Sequence, residues 1–252
     1  MSFNPTSDLS GKNILITGAS KGIGAQCALT FAELNTNLIL VARESRELDT
    51  IEGKIKAMGQ RVKKVTCDIT DKKSFDEKIA SINEVDILIN NAGTNAPGPL
   101  LNASEYDFDR VMNINVRAAF FVSQSIVKKM IQQNISGSII NISSQMGHVG
   151  AANRTIYCAS KHAIEGLTKA MAVELANYGI RVNSVAPTFV ETPMTKPFLR
   201  DKKFRDEVIK KIPLGKIANP SDIMGAIIFL SSDAAKMITG SCIKVDGGWT
   251  AV

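Results

Sequence analysis

Residues 14–24 read ILITGASKGIG, an apolar run that breaks into a turn carrying Gly18, Gly22 and Gly24. The amphipathic segment IGAQCALTFAEL follows at once, so the stretch predicts a strand, a tight turn and a helix. Glycines there let the backbone turn sharply and approach a diphosphate, whose charge the amides at a helix N-terminus favour. The spacing is G-x-x-x-G-x-G. A turn with a purely structural role is the alternative reading of the three glycines alone.

Six more short apolar runs follow: NLILVA, RVKKVTCD, VDILINNAG, GSIINISS, IRVNSVAP and SCIKVDGG. They alternate with segments of helix length, which predicts βαβ units: an α/β Rossmann fold with a doubly wound, seven-stranded parallel sheet and helices on both faces. No linker, repeat or composition break divides the chain. The expectation is one domain over residues 1–252, with an N-terminal tail at 1–8. Residues 187–216, PTFVETPMTKPFLRDKKFRDEVIKKIPLGK, hold four prolines and read as an excursion. From about 188 to 216 it lies where a substrate lid would close over the carboxyl ends of the strands.

The second apolar run ends at Ala42 and Arg43, and Lys21 lies in the glycine turn. An acid at that tip would bind the ribose hydroxyls of NAD, whereas an arginine accommodates a 2′-phosphate. The expected cofactor is therefore NADP(H), with NAD(H) possible; the plainer alternative is that Arg43 only ends a strand in solvent. Asp68 with Ile69, and Asn91 with Ala92 and Gly93, follow later strands where loops should line a cofactor groove.

Residues 155–166, TIYCASKHAIEG, put Tyr157 four places before Lys161, neighbours on one helical face. A free tyrosine titrates near pH ~10. The Lys161 ammonium together with the positive charge of an oxidised nicotinamide would favour the phenolate, so the pairing would tune a proton donor towards its working pH. Two solvated side chains are the alternative.

At 252 residues, 44% hydrophobic and 21% charged, the composition is that of an ordinary globular protein. A net charge of +6 raises the question of nucleic acid, but the basic residues are interleaved with acidic ones and no aromatic platform accompanies them. Cysteines 27, 67, 158 and 242 lie far apart without a C-x-x-C pair, which predicts reduced thiols and neither disulfides nor a metal. The opening MSFNPTSDLSGK has no apolar signal core, and no run approaches ~20 apolar residues. The expectation is a cytoplasmic protein with no membrane or nucleic-acid partner.

Taken in order, TGASKGIG, NNAG, NVRAAF, SSQMG, YCASK and VAPTFVETPM resemble the short-chain dehydrogenase/reductases, and in particular the subgroup of about this length that includes 3-oxoacyl-[acyl-carrier-protein] reductases. The resemblance runs from about Leu9 to Gly248. It implies hydride transfer between nicotinamide and a carbonyl or secondary alcohol, with Asn115, Ser144, Tyr157 and Lys161 as the catalytic set. Tyr157 would move the proton, Ser144 hold the substrate oxygen, Lys161 bind the nicotinamide ribose and Asn115 organise a proton-relaying water. Gly18, Ser20, Lys21, Gly22, Ile23, Gly24, Arg43, Asp68, Ile69, Asn91, Ala92, Gly93, Tyr157, Lys161, Pro187, Val190 and Thr192 would hold the cofactor. Thr188 stands where the family has glycine.

The substrate reading rests on neighbours of this set. His148 and Arg154, with Ser144, flank the catalytic pair, and Lys196 and Arg200 lie in the lid. They suggest a small polar or acidic substrate such as a keto acid or sugar acid; ordinary surface or subunit-contact residues are the alternative for His148 and Arg154. A 3-oxoacyl-thioester reductase is the second reading. Against it, Ile135 and Tyr178 occupy the places where basic residues would dock an acidic carrier. A non-catalytic dinucleotide-binding regulator is a remote third. The resemblance also implies a homotetramer, and the apolar ending VDGGWTAV, with the single Trp249, suggests burial against a neighbouring subunit.

Overall fold

The computed structural model describes residues 9–252; the predicted tail at 1–8 lies outside the described residues. Each of the seven apolar runs forms a strand: β1 (Asn13–Thr17), β2 (Asn37–Ala42), β3 (Val62–Thr66), β4 (Ile87–Asn90), β5 (Ser138–Ile142), β6 (Arg181–Pro187) and β7 (Cys242–Val245). All pair in parallel in the order β3-β2-β1-β4-β5-β6-β7. Strands buried on both faces have no polar side to alternate with, so β4 and β5 are buried at every residue.

Crossover helices cover both faces: α1 (Gly22–Glu33), α2 (Arg46–Ala57), α3 (Lys72–Ile79), α4 (Glu105–Met112), α5 (Ala119–Gln132) and α6 (Thr155–Leu175), then the lid helices α7 (Lys196–Leu199) and α8 (Lys202–Lys210), and finally α9 (Pro220–Ser231). One face packs Ile14, Ile16 and Leu40 against Phe31 of α1 and Ile227 of α9. The other packs Leu15, Val41 and Leu88 against Phe75 of α3 and Ile126 of α5. Residues 14–16 thus send alternate side chains into two cores, as a period of two requires. Among the described residues no helix is long and apolar enough to cross a membrane.

The order reverses between β1 and β4, because β2 and β3 lie to one side of β1 while β4 to β7 run to the other. Loops leaving neighbouring strands diverge there, opening a crevice at the carboxyl edge. The excursion after β6 folds over this edge. Leu199, Val208, Ile212 and Ile217 make a small core of its own, with Phe189, Phe204 and Trp249 packed on it. Trp249 stacks 5.9 Å from Phe189, with Lys211 Nζ 5.7 Å above its ring. Within the chain, Phe189 and Phe204 already cover part of Trp249, which stays partly exposed.

Candidate active site

The glycine turn is built by its neighbours. Gly18 N donates to Val41 O at 2.8 Å, fastening the turn to the tip of β2. From the other side Asn91 Nδ2 donates to Thr17 O (3.0 Å) and Gly18 O (3.1 Å), and the amides of Asn91 and Ala92 donate to Thr17 Oγ1 at 3.1 Å. Gly22 has φ +61, a conformation that β-carbons disfavour. A Cβ on Gly24 would stand 2.3 Å from Gly18 O, so only glycine lets the helix start this close to the turn. Lys21, the N-cap of α1, offers no side-chain cap, which leaves the first amides of α1 available to an anion. A Cβ on Gly22 would sit 3.3 Å from the Thr192 side chain, so the start of the lid faces the cradle.

These observations fit a dinucleotide. Ser20 and Ile23 flank the cradle, partly buried. Arg43 is exposed just beyond β2, and no carboxylate among the described residues pairs with it in an ion pair. Buried polar atoms without a protein partner occur on three loops of the same edge: Asn95 Oδ1 after β4, Ser143 Oγ after β5 and Thr188 Oγ1 after β6. Pro187 ends β6, and Thr188 N donates to Val245 O at 3.2 Å. The Val190 side chain is buried in the core, its carbonyl accepts from Thr195 Oγ1, and it bridges in parallel to Ala218. Asp68 is exposed, and its Oδ1 accepts from Thr70 N (2.9 Å) and Thr70 Oγ1 (2.7 Å), capping its own turn with Ile69 partly buried inside it.

Asn115, Ser144, Tyr157 and Lys161 come from three different elements. Asn115 lies in a π-helical stretch, Asn113–Ala118, between α4 and α5. Such bulges widen a helix by a residue and recur at functional positions. Here the bulge turns Asn115 inward: Nδ2 donates to Thr94 O (2.9 Å) and Ser160 Oγ (3.0 Å), and Oδ1 accepts from Thr94 N (2.8 Å). Lys161 is buried on α6 and donates to Ile142 O at 2.8 Å. Asn115 and Lys161 meet at Gly93, where a Cβ would lie 3.4 Å from Asn115 Oδ1 and 3.9 Å from Lys161 Nζ. Ser144 follows β5, donates to Gln145 Oε1 at 2.7 Å and accepts from Met146 N at 3.1 Å.

Burial raises Tyr157 to about 12, a rise that its hydrogen bond with Ser144 opposes. Burial lowers Lys161 to about 8, with Glu165 one turn along α6 opposing the fall. Lys161 Nζ lies 5.6 Å from the Tyr157 ring centroid and is not among the influences on its ionisation. In the protein alone burial favours the protonated phenol, and the expected lowering, which calls on Lys161 together with the positive charge of an oxidised nicotinamide, concerns the cofactor-bound state. Tyr157 therefore holds its proton at neutral pH.

The predicted substrate residues separate. Arg154 is only 9% exposed. Its guanidinium lies 5.5 Å over the Phe198 ring of α7, donates to Asn153 O at 3.1 Å, and its charge bears on Tyr157. No carboxylate among the described residues forms an ion pair with it. Lys196 and Arg200 are exposed on the lid. His148 turns Nε2 the other way, to Cys242 Sγ (3.2 Å) and Glu165 Oε1 (3.5 Å), rather than towards Tyr157. Four contributors went unnoticed in the sequence: Thr94, Ser160, Glu165 and Cys242. Glu165 alone had a local signal, standing one helical turn after Lys161.

A family model described as enoyl-(acyl carrier protein) reductase matches residues 18–250. The 3-oxoacyl-[acyl-carrier-protein] reductase of Thermotoga maritima is 38% identical over 244 residues, covering 95% of this chain and 98% of that protein. L-xylulose reductase of Mesocricetus auratus is 36% identical, covering 96% and 97%. A solved gluconate 5-dehydrogenase from Burkholderia cenocepacia, in complex with NADP and tartrate, is 31% identical and superposes with a TM-score of 0.93 over 98% of both chains.

Proposed function

The chain belongs to the short-chain dehydrogenase/reductase family, an oxidoreductase acting on CH–OH and C=O groups, and from that premise we propose an NADP(H)-dependent enzyme for a small hydroxy or keto acid. The observation that carries the acidic substrate is Arg154. A buried guanidinium costs several kcal/mol of lost hydration unless something pairs with it. Its place beneath Phe198 and within electrostatic reach of Tyr157 suits a substrate carboxylate held under the lid. The tartrate of the Burkholderia cenocepacia enzyme is a hydroxy diacid, which favours the same class. The cofactor preference is supported by Arg43 at the tip of β2, by Lys21 in the glycine turn and by the NADP in that relative.

In this reading, nicotinamide dinucleotide supplies the hydride when bound. Gly22 to Gly24 present their amides to its diphosphate, and Lys161 its ammonium to a ribose. Ser144 Oγ and Tyr157 Oη hold the substrate oxygen and stabilise the alkoxide as it forms. Tyr157 gives that oxygen its proton, and Lys161 with Asn115 hands protons back to Tyr157. The exposed faces of α4 and α5, with Tyr106, Phe108 and Phe120, are assigned to subunit contacts in a homotetramer, and the compartment to the cytoplasm.

The relative from Thermotoga maritima favours a second reading, reduction of 3-oxoacyl thioesters. The partly buried Ile135 and the exposed Tyr178 weaken it, since neither brings a charge to a carrier. The test is oxidation of NADPH and NADH by the purified chain across keto acids, neutral ketones, sugars and 3-oxoacyl thioesters. Keto acids turned over best, and faster with NADPH, is the expected result. Thioesters preferred over every acid would install the second reading.

A further inference from the structure

His148, Glu165 and Cys242 come from three separate elements. His148 follows the Ser144 turn, Glu165 lies on α6 and Cys242 opens β7. One donor atom of each forms a closed triangle: Nε2 to Sγ 3.2 Å, Nε2 to Oε1 3.5 Å and Sγ to Oε1 3.6 Å. In a zinc tetrahedron, metal–nitrogen and metal–oxygen bonds of about 2.0–2.2 Å and a metal–sulfur bond of about 2.3 Å set neighbouring donors roughly 3.4–3.6 Å apart. The three observed edges match that spacing to within a few tenths of an ångström. We propose that this triangle is a binding site for a zinc-class divalent cation, with three protein ligands and a fourth position left to water.

The surroundings support a site. Glu165 is 7% exposed, and among the described residues no lysine or arginine forms an ion pair or hydrogen bond with it, Lys161 one turn back acting on it only at longer range. Ser184 Oγ donates to its Oε2 at 2.9 Å, which fixes the carboxylate and leaves Oε1 to the triangle. That is how an outer hydrogen bond orients a ligating group. Gly147 makes the approach possible: a Cβ there would meet Lys161 O at 3.0 Å and Glu165 Cγ at 3.2 Å. His148 and Cys242 are both partly exposed, so a hydrated ion can reach the triangle from their side. A nitrogen, sulfur and oxygen donor set suits zinc or cobalt and not magnesium or calcium. On binding, the Cys242 thiol proton leaves to solvent as the sulfur–metal bond forms.

The consequence is local. His148 is four residues past Ser144 and Glu165 four past Lys161, so an ion here would clamp the serine turn onto the catalytic helix. Without metal the same atoms are satisfied by a weak network, Cys242 Sγ donating to Glu165 Oε1. The two states differ in spectroscopy and not merely in stability.

The test is titration of the reduced, chelator-treated full chain with cobalt(II). A sulfur-to-cobalt charge-transfer band in the near ultraviolet and tetrahedral bands in the visible are expected, saturating at one equivalent and displaced by zinc. Cys242→Ser should abolish the charge-transfer band. His148→Gln, at a partly exposed position where folding is safe, should weaken cobalt affinity about tenfold or more. No charge-transfer band with folded wild-type protein would overturn the proposal. So would a band that survives both variants, or one lost in Cys158→Ser instead, since Cys158 and His162 are also neighbours on α6.

Discussion

On the β1–β4 side of the crevice the groups offered to a ligand in the proposed function are main chain. Gly18 N is tied to Val41 O, Asn91 to Thr17 and Gly18, and the first amides of α1 carry no side-chain cap. On the β5–β6 side they are side chains: Lys161 and Asn115 buried, Ser144 on its turn, Arg154 beneath the lid. The first side recognises through geometry that glycine permits, at little electrostatic cost. The second keeps charges and hydroxyls out of water, and that desolvation is what moves Tyr157 and Lys161 away from their ordinary ionisation. Under the proposed function, binding of a common dinucleotide and selection of a particular substrate would use different physical means within one edge of one sheet.

The largest effect expected of that division is at Tyr157. Tyr157→Phe removes the donated proton but leaves the cradle untouched, so turnover should fall between about a hundredfold and ten-thousandfold while the dissociation constant for NADPH stays within about twofold. Fluorescence titration beside steady-state kinetics separates the two. A large loss of NADPH affinity would show that the two sides are not independent.

Arg154 should sort substrates. A charged hydrogen bond is worth about 1.5–3 kcal/mol, so Arg154→Met should raise KM for keto acids between about tenfold and a hundredfold and leave that for neutral ketones unchanged. An equal rise for both would reduce Arg154 to a packing partner of Phe198. Arg43 is exposed, where a single ion pair contributes about 1 kcal/mol or less. Arg43→Ala should accordingly lower the preference for NADPH over NADH only about fivefold. An unchanged ratio would leave Arg43 as a solvated strand end.

The same contrast governs what could be read from the chain alone. The β1–β4 side is contiguous: strand, glycine turn and helix lie within residues 13–33, and the period-two burial of Ile14, Leu15 and Ile16 is written in the residue types. The seven strands were legible for that reason. The excursion after β6 was visible as a proline-rich interval, but not that Phe189 and Phe204 would take up Trp249. Helical spacing reported the proximity of Tyr157 and Lys161 but not the desolvation that raises the one and lowers the other in the chain alone. The triangle of His148, Glu165 and Cys242 has no spacing signal at all, since the residues are joined only when β7 docks beside β6. A count of cysteines looks for paired cysteines, so a mixed site of the kind proposed, with a histidine and a glutamate beside Cys242, leaves no mark in it.

The smallest effect is the one that isolates desolvation itself. Lys161 titrates at about 8 in the folded chain, against 10.5 for an ordinary exposed lysine. Below pH 8 both states hold the proton, and the folded state bears the cost of burying the charge. Between 8 and 10.5 the unfolded chain holds more protons than the folded one, so stability must rise with pH across that window. From pH 7 to pH 9 the gain should be about 1 kcal/mol. Lys161→Met has no such proton, and the difference in unfolding free energy between variant and wild type should shift in favour of the wild type by that amount over the same interval. Cys242, pushed up to about 11 by burial, works in the opposite direction, but chiefly above pH 9 and identically in both proteins. Denaturant unfolding at the two pH values measures the shift. Parallel behaviour would mean that Lys161 keeps its ordinary proton affinity in the folded chain, and that the charge on the β5–β6 side is hydrated after all.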